Sequence, residues 1–454
     1  MKRFAWLWLA VSSAMLGAVA GAATRPQYGG TLHIALQETP ASLDPAEASQ
    51  PDSFAQRNVE ALIFETLVAM DDRGRAQPGL ATSWDAAPGD QRWQFRLRQG
   101  VRFHDGSPLT AEIAAASLRA ANPSWNVLAE AGAVVIQCSP PDADLPAELA
   151  LERNAIVKRN GGKLSGTGPF HIEDWQPGKK LTLGAEESYW QGRAFVDSIE
   201  IELGRNYSTQ SIELELGKAQ LVEVPPEQIH RAIMEGRRIE SSQPVELLAL
   251  VFARDAQSEE EKQHRQALGL SVDRVSIRNV LLQGAGQATG SILPNWMSGY
   301  GFVFPAEADL ARARQERGEV REPPTWSLGY DNSDPISQVL AERIALNAKD
   351  AGLAVQPTTA ANADVRLMRI PMASADPWVA LSQVAEMAGL GRPTAGHSVE
   401  DLYAAEQSVL ATQRVIPLFD LPVSYARSSA LRDWAPDAEG SWNLADAWLG
   451  NEGP

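Results

Sequence analysis

The chain has one cysteine, Cys138, in 454 residues. No intramolecular disulfide can form, so stability must come from burial in a large core, and the lone thiol is expected to be buried and inert. Histidines are also few: six, at 33, 104, 171, 230, 264 and 397, with no two sharing an i, i+4 helical face. Metal sites cluster their ligands at short spacing, so neither a metal nor a cofactor is expected. The G-x-S-x-G elbow, the P-loop, the H-E-x-x-H pair and a dinucleotide fingerprint after a strand are all missing. "GGKLSGTGPF" (161–170) is glycine-rich but lacks the Lys-Ser/Thr ending and the helix of a phosphate cradle. It reads as a tight turn where two segments approach closely. Positive charge is short as well. Lys and Arg number 40 against 57 Asp and Glu, a formal −17, which becomes −19 without Lys2 and Arg3. So acidic a chain argues against nucleic acid and anionic membrane surfaces as partners.

The N-terminus is apolar. "MKR" is followed by "FAWLWLAVSSAMLGAVA" and the small residues "AGAA" at 20–23, the pattern of a cleavable signal peptide over residues 1–22. No cysteine lies near that junction, which excludes a lipoprotein anchor. A soluble, exported, periplasmic protein is the expectation. Thirteen Trp residues are many, and several should be buried anchors or pocket walls.

Periodicity then places elements. "GGTLHIAL" (29–36) reads as a buried strand, and "SFAQRNVEALIFETLVAMD" carries apolar residues at helical spacing. "QRWQFRLRQG" alternates Trp93, Phe95 and Leu97 with polar residues, a half-buried strand. "LTAEIAAASLRAA" (109–121) is a helix without Gly or Pro. Farther on, "KKLTLGAEESYW" and "VDSIEIELG" are strands, and "STQSIELELGKAQL" is a helix running into a strand. "EEEKQHRQALGLSVDRVSIRNVLLQG" reads as one long helix ending at Gly284. "PPTWSLGYDNSD" is a strand before the helix "PISQVLAERIALNAKDAGL"; "HSVEDLYAAEQSVLATQR" is another helix, and "VIPLFDLPVSYARSS" a strand region. Strands alternating with helices of this length give an α/β fold with mixed sheets.

"FHDGSPLTAE" (103–112) sets a histidine beside an aspartate, which invites a catalytic reading. Its neighbours say otherwise. Gly106 suits positive φ, Pro108 blocks a central strand, Thr110 can cap the next helix, and Glu112 suits a first turn. The stretch reads as a strand-to-helix turn.

In order, "GGTLHIALQETPASLDPA", "PGLATSWDAAPGDQRWQFRLRQGVRFHDGSPLTAEIAAASL", "GTGPFHIEDWQPGKKLTL", "ESYWQGRAFVDSIEIE", "RQALGLSVDRVSIRNVLLQGAGQATGSILPNWMSGY" and "VIPLFDLPVSY" resemble the extracellular solute-binding proteins of family 5. These are the dipeptide- and oligopeptide-binding subunits of ABC transporters. The resemblance implies a type II periplasmic-binding-protein-like fold, two lobes joined by crossing strands and closing on a ligand. Lobe I would span 24–244, with an insert subdomain over roughly 45–160, and residues 424–454 would return to it. Lobe II would span 245–423, with hinge strands near 245–253 and 415–423. The insert looks abbreviated, because only residues 122–165 separate "SLRAA" from "GTGPF".

The resemblance also proposes a site. The loop after "LDP" should contribute cleft wall, here Ser49, Gln50 and Pro51. Asp376 and Trp378 in "ASADPW" would offer a charge and an aromatic platform, with Trp296 and Tyr425 as further candidates. Peptide-binding relatives carry an aspartate, aligned here with Ala373, that anchors the peptide α-amino group; the family's acid at the start of the 111–121 helix is Ile113 here, and Leu421 stands where relatives often have an aromatic. The implied function is that of a non-enzymatic importer subunit and monomer, its partners a short-peptide or other small polar ligand and the membrane permease of an ABC transporter. The alternative is a transport-independent periplasmic sensor or interaction protein on the same scaffold. An exported hydrolase finds no nucleophile–base pair.

Overall fold

The computed structural model describes residues 25–47, 52–301, 304–318, 325–372, 374–394, 396 and 398–450. The expected leader and residues Ser49, Gln50, Pro51 and Ala373 lie outside them. Among the described residues no helix is long and apolar enough to cross a membrane.

One mixed sheet runs through both halves of the molecule. At its centre lie two long antiparallel strands, Arg238–Phe252 and Val415–Arg427. On one flank follow Leu221–Glu223, Thr31–Ala35, Ser198–Glu202, Lys180–Ala185 and Phe170–Gln176; on the other, Val365–Pro371, Thr325–Gly329 and Ala354–Thr358. The central pair therefore belongs to both halves. Its register is regular from Arg238↔Arg427 to Ser241↔Ser424 and resumes at Glu246↔Leu421. Between these, Pro244 faces Pro422. Neither proline has an N–H to give the ladder, so pairing lapses there. Hydroxyls replace the lost bonds: Ser241 Oγ meets Ser424 Oγ at 2.7 Å, and Ser242 Oγ accepts from Val423 N at 3.0 Å.

Period-2 alternation explains the packing. On the second half, Leu247, Ala249 and Val251 enter the core beneath helices Pro377–Met387 and Val399–Ala411. Leu248, Leu250 and Phe252 enter the opposite core, against helices Glu259–Ser271 and Ser337–Asp350. In the first half, Leu32, Ile34, Ile199 and Ile201 pack with Val59, Leu62, Trp434 and Trp442, so the C-terminal segment closes this core. A separate four-stranded antiparallel sheet, Ala81–Ala86, Arg92–Leu97, Ala133–Gln137 and Asn126–Glu130, packs on helix Ala111–Ala121 around Phe95, Leu118 and Ile136.

Two expectations change. The predicted long helix over 259–284 is two helices, Glu259–Ser271 and Arg274–Val280, because Asp273 caps the second through Ser276 N. Cys138 is half-buried rather than buried, and desolvation pushes its thiol up to about 11, which keeps it protonated and unreactive.

Candidate functional site

The two halves meet across a cleft beside the crossing strands, and side chains from both close it. Ser53 caps helix Phe54–Ile63 by accepting from Gln56 N at 3.2 Å. That helix projects Arg57, whose Nη1 donates to Met372 O of the second half at 2.6 Å. The same guanidinium is held by Asp52, with Nε donating to Oδ1 at 2.6 Å. Gln383 Nε2, from helix Pro377–Met387, donates to Asp52 Oδ2 at 2.7 Å. Arg392 pairs with Glu148 at 3.0 Å, and Gln37 Nε2 donates to Ser333 O at 3.1 Å. Val379 packs against Ala147 and Leu151. Gly74 lies against Ala375 with φ +70, where a β-carbon would collide with the Ala375 carbonyl. The lobes are thus shut on one another.

Near the crossing, the strand ends supply a second charged group. Arg369 Nε donates to Glu246 Oε2 at 2.8 Å and its guanidinium lies 3.7 Å from Asp334. Glu223 Oε2 accepts from Gln37 N at 2.7 Å and Gln210 Nε2 at 3.0 Å, yet burial pushes it up to about 7. Burial also raises Glu38, whose neighbours Glu246 and Asp52 add to the effect.

Of the residues expected at the site, the structure brings two together. Trp296 and Trp378 line one cavity of about 410 Å³ with Asp72 and Arg73 of the first half, and Trp296 Nε1 donates to Pro244 O at 2.7 Å. Asp376 is occupied locally: its Oδ1 accepts from Trp378 N at 2.9 Å and Val379 N at 3.0 Å, the N-cap of helix Pro377–Met387. Tyr425 is 2% exposed, sits between Trp434 and Trp442, and accepts from Asn58 Nδ2 at 3.2 Å. It is a core residue of the first half rather than cleft wall. Arg57, Arg369 and the carboxylates around them were not singled out from the sequence. They come from segments far apart in the chain, and no local pattern marks them.

The turn with His104 is structural. Its Nδ1 accepts from Gly166 N at 3.3 Å and its Nε2 donates to Gly168 O at 3.0 Å, which fixes a neutral ring, and burial lowers its pKa. Gly106 has φ +81, and Thr110 Oγ1 accepts from Ile113 N at 3.4 Å. A β-carbon at Gly166 or Gly168 would run into the Ile63 carbonyl, so the glycine-rich stretch is a close approach of two segments.

A sheet shared by two lobes through a pair of crossing strands, with a cleft between them, defines a type II periplasmic-binding fold. Residues 75–380 match the sequence profile of the bacterial extracellular solute-binding proteins, family 5 (middle), and the chain belongs to that family. Protein XP55 of Streptomyces lividans is 25% identical over 353 residues, 68% of this chain and 65% of that protein. The probable D,D-dipeptide-binding periplasmic protein DdpA of Escherichia coli is 22% identical over 317 residues, 63% of this chain and 61% of that one. The chain thus spans less than two thirds of the length of these relatives. In three dimensions, NikA of Staphylococcus aureus in complex with Ni(L-His)2 superposes with a TM-score of 0.79 at 17% identity, over 92% of this chain and 100% of NikA. DppA of Helicobacter pylori in complex with the peptide STSA gives 0.79 at 18%, over 93% and 99%.

Proposed function

We propose that this protein is the ligand-capture subunit of an ABC-type importer, taking a short peptide or other small polar ligand between its lobes outside the cytoplasmic membrane. Lobe I comprises residues 24–244 and 424–454, and lobe II comprises 245–423. The observation that carries the reading is the cleft, bridged by Arg57 to Met372 O and by Gln383 to Asp52 at the side of a strand pair whose register lapses at Pro244 and Pro422. Rotation about that lapse separates or joins the bridging groups without disturbing either core. A ligand touching both lobes binds the closed state better and shifts the population toward it, which a permease can then read. No covalent step is involved.

Small-angle scattering tests this, combined with a thermal-shift screen of di- and tripeptides, opines, sugars and nickel complexes. A true ligand raises the melting temperature and lowers the radius of gyration together. If no ligand moves the radius, and scattering shows a partner protein binding instead, the scaffold is serving as an interaction protein.

A further inference from the structure

The cavity shared by Trp296 and Trp378 lies between the two lobes. Its walls are Trp296, Met297, Trp378 and Leu402 of the second half and Asp72 and Arg73 of the first, among others, and its volume of about 410 Å³ is that of a small-molecule site. An occupant that fills it touches both lobes and so favours the closed state. The two indoles are half-buried: each packs on the core beneath helices Pro377–Met387 and Val399–Ala411 and keeps part of its surface accessible. Trp296 Nε1 is spent on Pro244 O, at the point where the crossing strands lose register. That bond anchors the ring and leaves its apolar surface to the cavity.

The first half contributes a turn whose tip is held still. Strands Val68–Met70 and Ala76–Pro78 pair antiparallel, and Asp71 closes the turn between them. Its Oδ1 accepts from Arg73 N and Arg75 N, both at 3.0 Å, and its Oδ2 from Arg75 Nε at 2.9 Å and Gln77 Nε2 at 3.0 Å. Asp71 N donates to Arg75 O at 3.0 Å and Gly74 N to Asp71 O at 2.8 Å. Gly74 in turn rests against Ala375 of the second half. Asp71 and Arg75 are thus consumed within the turn, and Asp72 and Arg73 are not. Both are exposed. Among the described residues the Arg73 guanidinium meets no acceptor, the Asp72 carboxylate meets no donor, and no ion pair joins them. An anion and a cation held side by side without partners, in one cavity with two indoles, match a zwitterion that carries a ring. Guanidinium and carboxylate form charge-assisted hydrogen bonds, and aromatic rings stack.

We propose that this cavity receives an aromatic zwitterion, either a free aromatic α-amino acid or a short peptide containing one. Its ring lies against Trp296 and Trp378, its carboxylate on Arg73 and its ammonium on Asp72. The inference rests on the capture reading and names the chemical class of its ligand. Isothermal titration of the purified full chain with phenylalanine, Ala-Phe, Ala-Ala, and the C-terminal amides and N-acetyl derivatives of the first two tests it and separates the two sources. Phenylalanine or Ala-Phe should bind about tenfold or more tighter than Ala-Ala, and capping either end should cost about tenfold. Arg73→Gln should weaken the free acid about tenfold and leave its amide unchanged. Asp72→Asn should do the same to the free amine and spare its N-acetyl form. Neither variant should move the melting temperature, since neither side chain has a partner within the protein to lose. Aromatic compounds binding no tighter than Ala-Ala, affinity unmoved by capping, or an Arg73→Gln loss shared equally by acid and amide overturns the inference. Capture then stands if another compound of the screen lowers the radius of gyration. If nothing in the screen does, both fall.

Discussion

At the scale of single residues, two side chains that looked functional do local work. His104 ties the turn after the Arg92–Leu97 strand to Gly166 and Gly168 through both ring nitrogens. His104→Ala leaves those backbone groups without partners and should cost about 1–3 kcal/mol in urea denaturation, with ligand affinity unchanged. A binding defect at undiminished stability would contradict this. Asp376 caps helix Pro377–Met387 with one oxygen. If capping is its role, Asp376→Ala costs about 1 kcal/mol and Asp376→Asn far less, because asparagine caps as well. Loss of ligand affinity in the asparagine variant, at wild-type stability, would instead make the charge itself a ligand contact. The sequence made His104 legible because its turn chemistry is local: Gly106, Pro108 and Thr110 lie within six residues of it. Tyr425 was not legible, because its neighbours Asn58, Trp434 and Trp442 come from both ends of the chain.

At the scale of elements, alternation and helical spacing marked most strands and helices, and the crossing strands were expected close to where the register lapses. The long helix at 259–284 failed as a reading because Asp273 competes as a cap, a local signal weaker than the periodicity running through it. One buried contact between elements makes a pH-dependent prediction. Glu406, on helix Val399–Ala411, is fully buried and accepts from Leu293 N at 3.0 Å and from Ile292 N, pinning the turn before Pro294. Its other oxygen has no partner among the described residues, and burial raises its carboxyl to about 7. A raised acid binds its proton more tightly folded than unfolded, so its stabilisation is full below about pH 4.5 and is lost as pH rises through about 7. Glu406→Gln keeps an oxygen for the two N–H groups and removes the titration. Between about pH 5.5 and pH 8 the wild type should therefore lose about 2 kcal/mol more than the variant. Parallel pH profiles would reject this assignment.

At the scale of the whole molecule, the cleft was the least legible feature, because its charge is a property of closure. Glu38, Arg57, Glu152, Glu223 and Glu439 of the first half are spread over four hundred residues' worth of chain, and the second half brings Arg369 and the backbone of Ala375 against them. Glu439 shows the consequence. It accepts from Ala375 of the opposite lobe, and burial, followed by the nearby Asp437 and Glu152, lifts it to about 8, with Arg57 opposing. Opening returns that carboxyl to water and toward its ordinary value. The closed, ligand-free protein therefore holds more protons than the open one, and closure must weaken as pH rises. Each unit by which closure raises a carboxyl contributes about 1.4 kcal/mol to the linkage, so a few such groups suffice to move the population. The radius of gyration of the ligand-free protein should accordingly increase from about pH 6 to about pH 9, by scattering below the onset of unfolding. Glu439→Gln should flatten that increase, since glutamine keeps the acceptor for Ala375 N and carries no charge. A saturating ligand that holds the lobes closed should abolish it. A radius that does not change with pH in the wild type would mean the acids stay neutral or exposed in both states, and the electrostatic account of closure would fail.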